Sequence, residues 1–214
     1  MSSVAVIDYG MGNLHSIAKA LQHASPDRRV TVTDDPGTIL AAERVVFPGV
    51  GSIGDCMDAL KLRGLVPVLA EVARSRPLLG ICLGMQALLD DSEENGMTAC
   101  LRIIPGHVRR FAAALSDSRG QLLKIPHMGW NQVVQFRPHP VWAGIPDGSR
   151  FYFVHSYYAC PDRAEDIAAT ASYPQPFAAA MASGNVFAVQ FHPEKSQAAG
   201  LRLLANFLDW NPRD

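Results

Sequence analysis

The stretch Pro77-Leu78-Leu79-Gly80-Ile81-Cys82-Leu83-Gly84-Met85-Gln86 decides how this chain of 214 residues is read. Residues 78–81 are an apolar run with no polar interruption, the mark of a strand buried on both faces. It runs directly into Gly-x-Cys-x-Gly, and a helical pattern (residues 83–89) starts at once. This is the nucleophile-elbow pattern with cysteine in place of serine. Glycines flank the central residue because a sharp strand-to-helix turn leaves no room for side chains there. Such a turn exposes the sulfur at a helix N-terminus, where partial positive charge favours the thiolate. The backbone N–H of Leu83 is then free to face a developing oxyanion. A structural cysteine in a glycine-rich turn would carry the same short pattern, so the rest of the chain must decide between them.

Outward from this strand, apolar runs and helical patterns alternate. Residues 4–8 form an apolar run ending at Tyr9-Gly10-Met11-Gly12-Asn13, which feeds a helical pattern through Leu21. Residues 29–33 alternate like a second strand. Residues 45–47 give a third, stopped by Pro48-Gly49-Val50-Gly51, and residues 55–60 and 66–74 are helical. This alternation predicts βαβ units and a mainly parallel sheet. In the second half, residues 101–104, 122–125, 132–136, 151–158 and 167–172 read as strands with few helices between. Residues 177–182 and 186–191 flank Ser183-Gly184-Asn185, a hairpin signal, and residues 197–208 close the chain as an amphipathic helix. With no linker and no repeat, residues 1–214 are expected to form a single α/β domain: three layers, αβα, mainly parallel, with an antiparallel extension.

Composition removes several classes of function. A formal net charge of −1 provides no electrostatic footprint for nucleic acid or an anionic membrane. No apolar run approaches the roughly 20 residues of a membrane span. No basic region precedes the first apolar stretch, so the N-terminus reads as a strand rather than a signal peptide. Cys56, Cys82, Cys100 and Cys160 form no Cys-x-x-Cys pair, which argues against a metal site or redox motif. They are expected to be free thiols in a cytoplasmic protein.

The second informative segment is Val186-Phe187-Ala188-Val189-Gln190-Phe191-His192-Pro193-Glu194-Lys195, a strand that ends in His-Pro-Glu. A nucleophilic thiol needs a base, and the base needs a third group to hold its tautomer. His192 supplies the base, Glu194 the orienting acid, and Pro193 stiffens the link. Of the other histidines, His15, His23 and His139 lack an acid at useful spacing, and His107 has only basic neighbours. His127 and His155 are the stronger rivals, each close to a strand; only His192 combines a strand end with an acid two residues on. The third segment, Val45-Val46-Phe47-Pro48-Gly49-Val50-Gly51-Ser52, reads as a plain glycine turn on its own. Beside an elbow it becomes a candidate second wall of an oxyanion hole. Tyr9-Gly10-Met11-Gly12-Asn13 lacks the third glycine and the later acid of a dinucleotide-binding loop.

Together, Gly80-Ile81-Cys82-Leu83-Gly84-Met85-Gln86 and His192-Pro193-Glu194 resemble the class I glutamine amidotransferases. Within that class the chain is similar, from about residue 4 to about residue 208, to the glutaminase subunits of imidazole glycerol phosphate synthases. The segments that select this group are Lys124-Ile125-Pro126-His127-Met128-Gly129-Trp130-Asn131 and Phe151-Tyr152-Phe153-Val154-His155-Ser156-Tyr157-Tyr158. Met85 and the Met-Gly-Trp-Asn segment set it apart from glutaminases of anthranilate or aminodeoxychorismate synthesis. An intact Cys-His-Glu set argues against a non-catalytic relative that only binds a partner. Ile53, Ala188 and residues 111–120 are less typical of the group.

The resemblance implies hydrolysis of L-glutamine with Cys82, His192 and Glu194 as the catalytic set, without metal or organic cofactor. It implies an oxyanion hole at Val50, Gly51 and Leu83, and substrate contacts from Gln86, Ser156 and Tyr157. It also implies a heterodimer with a cyclase subunit, a (β/α)₈ barrel that uses the ammonia in histidine biosynthesis. Trp130, Asn131, Tyr152 and Lys195 would lie at that interface.

Overall fold

The computed structural model describes residues 3–116 and 119–212. The first half contains β1 (Ser3–Ile7), α1 (Leu14–Ala24), β2 (Arg29–Thr33), α2 (Pro36–Ala41), β3 (Arg44–Gly49), α3 (Ile53–Leu62), α4 (Leu65–Ser75), β4 (Leu78–Cys82) and α5 (Leu83–Gln86). After it come β5 (Asp91–Ser92), β6 (Thr98–Ala99), β7 (Gly106–Arg110), β8 (His127–Gln132), β9 (Val134–Gln135), β10 (Arg150–His155) and β11 (Tyr157–Pro161). The chain continues with β12 (Ile167–Ser172), β13 (Pro176–Ser183), β14 (Val186–Val189) and α6 (Gln197–Asp209).

Five strands run parallel in the order β2-β1-β3-β4-β14, as the alternation of strands and helices predicts. β13, β11 and β7 extend the same sheet antiparallel, while β8 and β10 form a separate two-stranded ribbon. Strand periodicity sorts the side chains into two cores. Val4 and Val6 of β1, Leu79 and Ile81 of β4, and Phe187 and Val189 of β14 face one side. There they meet Ile17 and Leu21 of α1 and Leu203, Leu204, Phe207 and Leu208 of α6. Ala5, Ile7, Val45, Phe47 and Leu78 face the other side, against Cys56, Met57 and Leu60 of α3 and Leu65, Leu69 and Val72 of α4. Strands with both faces covered must be apolar throughout, which is why β1, β3 and β4 read as continuous apolar runs.

The second half departs from the sequence expectations. Residues 101–104 are not a strand. The N–H groups of Leu101, Arg102, Ile103 and Ile104 donate to the carbonyls of Ala87, Leu89 and Leu88, so this apolar segment caps the chain leaving α5. The helix after the elbow is correspondingly short, ending at Gln86 where the pattern suggested residue 89. Residues 122–125 form no strand; Leu122 makes one isolated bridge, to Ser116. Residues 151–158 are two strands broken at Ser156. β7 and β8 were not read from the sequence, since arginines interrupt one and Gly129 the other. Their partners β11 and β10 hold them extended.

Candidate active site

The parallel register gathers the functional segments at one edge. Gly49 lies opposite Cys82, and Ile81 opposite Val189. The loop after β3, the last residue of β4 and the chain leaving β14 therefore emerge side by side at the carboxyl ends of neighbouring strands, where open α/β sheets bind ligands. Cys82 has φ +54° and ψ −110°, the positive φ expected of an elbow and one a cysteine adopts only when its surroundings enforce it. The enforcement is close packing. A Cβ at Gly84 would overlap the Phe47 carbonyl, and one at Gly49 would come within 2.6 Å of the Tyr9 hydroxyl and 2.8 Å of the Leu83 Cβ. Gly84→Ala is accordingly expected to destabilise the chain by about 1–3 kcal/mol, read from the denaturant midpoint. An unchanged midpoint would show that the turn relaxes freely.

The elbow opens into a cleft of about 310 Å³, within the range of small-ligand pockets. Cys82, Leu83, Val50, Gly51, Gln86, Ser156, Tyr157 and His192 all line it. Glu194 stands behind His192, and its Oε1 accepts from the imidazole Nδ1 at 2.9 Å in a pair shielded from solvent. Burial alone would lower the His192 pKa; the facing Cys82 and Glu194 outweigh it and raise the imidazole to about 10. The Nε2 nitrogen forms no aligned hydrogen bond among the described residues, yet lies near enough to the Cys82 thiol to feel its charge. Loose contacts of this kind are usual before substrate arrives. A thiol, an imidazole and a carboxylate in series can carry out nucleophilic attack with proton transfer.

The family model for class-I glutamine amidotransferases matches residues 5–210. The chain belongs to this family. A Methylococcus capsulatus protein named imidazole glycerol phosphate synthase subunit HisH is 67% identical over 213 residues, spanning 99% of this chain and 98% of its own length. Its namesake from Thiobacillus denitrificans is 59% identical over 210 residues, spanning 98% and 92%. The solved PurLQS structure from Thermotoga maritima superposes with a TM-score of 0.70 over 97% of this chain and 98% of that one. At 17% identity, that likeness speaks for the fold alone.

In this amidotransferase the rival histidines are engaged elsewhere. His127 Nδ1 and His155 Nε2 are 2.9 Å apart, His155 Nδ1 meets the Tyr157 carbonyl at 2.8 Å, and Asn131 Nδ2 reaches His127 Nε2 at 3.2 Å. Burial pushes His127 down to about 4 and His155 down to about 3, so both stay neutral. His155 does line the cleft, but neither ring nitrogen is free. Among the described residues, no cluster of three or more His, Cys, Asp or Glu side chains could hold a metal ion.

Three residues of the amidotransferase site escaped the sequence reading. Glu94 lines the cleft, where its Oε2 accepts from the Ile53 N–H at the start of α3. It sits in the run Asp90-Asp91-Ser92-Glu93-Glu94, which looks like a solvated surface. Ser196 is buried and ties down the base: its hydroxyl donates to the His192 carbonyl at 2.6 Å and accepts from the Tyr152 N–H at 3.0 Å. Gln190 is fully buried, and its amide reaches Cys82 Sγ at 3.7 Å. A polar residue inside the otherwise apolar run 186–191 was the available signal.

Of the four residues expected at an interface, Trp130, Tyr152 and Lys195 lie together on one side of the ribbon, whereas Asn131 pairs with buried Phe151 and points to the other side. Trp130 packs edge-on against Tyr152 at 6.2 Å, and the Lys195 ammonium lies 5.8 Å from the Tyr152 ring. On that inner side Asn131 Nδ2 reaches His127 Nε2 at 3.2 Å and the Ser172 carbonyl at 2.9 Å. The His192 N–H donates to the Tyr152 carbonyl, so the surface of Trp130 and Tyr152 adjoins the base directly. Lys195 also borders a small cavity together with Val50, His192 and Glu194.

Proposed function

We propose that this chain hydrolyses L-glutamine to glutamate and ammonia through a thioester on Cys82, and passes the ammonia to a separate synthase subunit. The observation that carries this reading is the shielded His192–Glu194 pair facing the Cys82 elbow in a ligand-sized cleft. Cys82 thiolate attacks the side-chain amide carbon, and the oxyanion is met by the Leu83 N–H and the Val50–Gly51 segment. The tetrahedral species expels ammonia as the His192 imidazolium gives up its proton. Neutral His192 then takes a proton from water, whose oxygen attacks the thioester carbon; the carbon–sulfur bond breaks and glutamate leaves. Glu194 holds the imidazole in the required orientation throughout. Glu94 offers a carboxylate to the substrate's α-ammonium, with Ser156, Tyr157 and Gln86 completing the walls.

Full-length similarity to the HisH subunits supports the identity of the acceptor enzyme: the cyclase subunit of imidazole glycerol phosphate synthase, a (β/α)₈ barrel joined here as a heterodimer in the cytoplasm. All 214 residues act in this reading as one glutaminase domain. Trp130, Tyr152 and Lys195 form the docking face, with Asn131 bracing the ribbon from its inner side, because ammonia must reach the cyclase without being protonated and diluted by bulk water. No helix among the described residues is long and apolar enough to cross a membrane. The chemistry needs neither metal nor organic cofactor.

The test measures glutamate release by the chain alone, with the cyclase, and with the cyclase plus its nucleotide ligand. Val50–Gly51 is the expected gate, since Gly51, at φ +96°, leaves the neighbouring peptide free to turn. Completing the oxyanion hole is worth about 10²–10³ in rate, so stepwise activation of that size is expected. Equal rates in all three mixtures would rule out the gate, and no glutamate in any of them would rule out the function.

A further inference from the structure

We propose that Gln190 is a positioning residue for the nucleophile: it presents an N–H to the Cys82 sulfur, and a chain of side-chain amides anchored on one backbone carbonyl fixes that orientation. The inference rests on the reading of Cys82 as the nucleophile.

A fully buried primary amide is costly unless its groups are bonded, and an amide can present either its oxygen or its nitrogen to a neighbour. Here the orientation follows from the surroundings. The Tyr157 carbonyl can only accept, and Gln86 Nε2 lies 2.8 Å from it, so the Gln86 NH₂ group must point that way. The same NH₂ group lies 2.9 Å from Gln190 Oε1, which places the Gln190 oxygen toward Gln86. The remaining end of the Gln190 amide, its NH₂, then faces Cys82 Sγ at 3.7 Å.

Two further bonds hold this arrangement in place. The Gln190 N–H donates to the Ala179 carbonyl at 2.9 Å, pinning its backbone to β13. The Tyr157 carbonyl also takes the Nδ1–H of His155 at 2.8 Å, so both of its acceptor directions are used and neither glutamine can flip without orphaning a donor. The sulfur thus meets a fixed donor on the side of Gln190. A thiolate accepts such a bond strongly, whereas a neutral thiol gains little from it, so the contact selects the reactive form and its position. Gln86 accordingly acts through Gln190, with its NH₂ group already committed on both hydrogens.

The experiment follows alkylation of Cys82 by iodoacetamide across pH in the full chain, locating the label by peptide mass spectrometry. Burial raises the other three thiols above their ordinary range, to about 12 for Cys56 and Cys100, which leaves Cys82 distinguishable. Gln190→Met keeps length and apolar bulk while removing the donor. It is expected to slow alkylation at neutral pH by roughly tenfold to a hundredfold, the range of a hydrogen bond to a charged group, and to move the half-reactive pH upward. Gln86→Met, which does not touch the sulfur, is expected to shift the profile the same way by less, and it provides the same test if Gln190→Met does not fold. Profiles superimposable on the parent's in folded variants would overturn the proposal. A parent Cys82 no more reactive than Cys160 would instead overturn the nucleophile reading beneath it.

Discussion

Cys82→Ser is expected to lower glutamine-dependent glutamate release by at least about 10⁴-fold, the scale seen when a nucleophile is removed from a set that works as a unit. The same complex, supplied with ammonium salts, is expected to keep its synthase rate. The first effect follows from what the site is built to hold. His192 is raised by its two neighbours, so an imidazolium already stands beside the sulfur. An imidazolium next to a thiolate is a ready proton donor for the departing ammonia. A serine hydroxyl is not ionised at neutral pH and would need that same imidazole as a base, in the wrong protonation state. Serine matches cysteine closely in size and keeps φ at +54° no less easily, so the elbow should survive. The second effect follows from division of labour, because the thiol acts only on glutamine. Loss of both activities in a complex shown to be assembled would sink that division.

The second large effect is expected from Glu194→Gln, which should cost about 10³–10⁴-fold in kcat, as loss of the orienting carboxylate does in analogous triads. Glu194 accepts the Nδ1 proton at 2.9 Å, leaving Nε2 for the chemistry. A glutamine can turn its NH₂ toward Nδ1 and place the ring proton on Nε2, the wrong tautomer for a base. The substitution also has a signature in stability against pH. The imidazole titrates at about 10 in the folded chain, raised from 6.5. Its stabilising contribution is therefore complete below pH 6.5 and is lost as pH rises through about 10. Without the carboxylate the raised value falls back, so the alkaline decline in unfolding midpoint should flatten in Glu194→Gln relative to the parent. Parallel curves for the two proteins would show that Glu194 does not sustain the charge on His192.

The parallel half of the fold was legible because burial on both faces demands an uninterrupted apolar run, and a glycine turn marks each end. β1, β3 and β4 follow that rule; the edge strand β2 was legible instead from its alternation, and the short helix α2 was not read. The second half was less so. Leu101, Ile103 and Ile104 are apolar because they pack into the core of α3 and α4, yet the backbone bonds of residues 101–104 go to the end of α5. Composition reports burial; it does not say where the N–H groups go. β8 carries a glycine and several polar residues and is extended only because β10 lies beside it.

The candidate site divides in the same way. Cys82 and its glycines, and His192 with Glu194, could be read from the chain because each is a short local pattern with a steric or chemical reason for its spacing. That they belong together is a fact of the sheet: Cys82 and His192 are 110 positions apart, and only the pairing of β4 with β14 sets them side by side. The same holds for the connection from Tyr157 through Gln86 and Gln190 to the sulfur. Which groups could do chemistry was determined by the sequence itself, because reactivity and backbone freedom are properties of residues and their neighbours. Which way each buried amide and imidazole points was decided by tertiary structure, since a hydrogen bond depends on where its partner stands and not on how far away it lies in the chain.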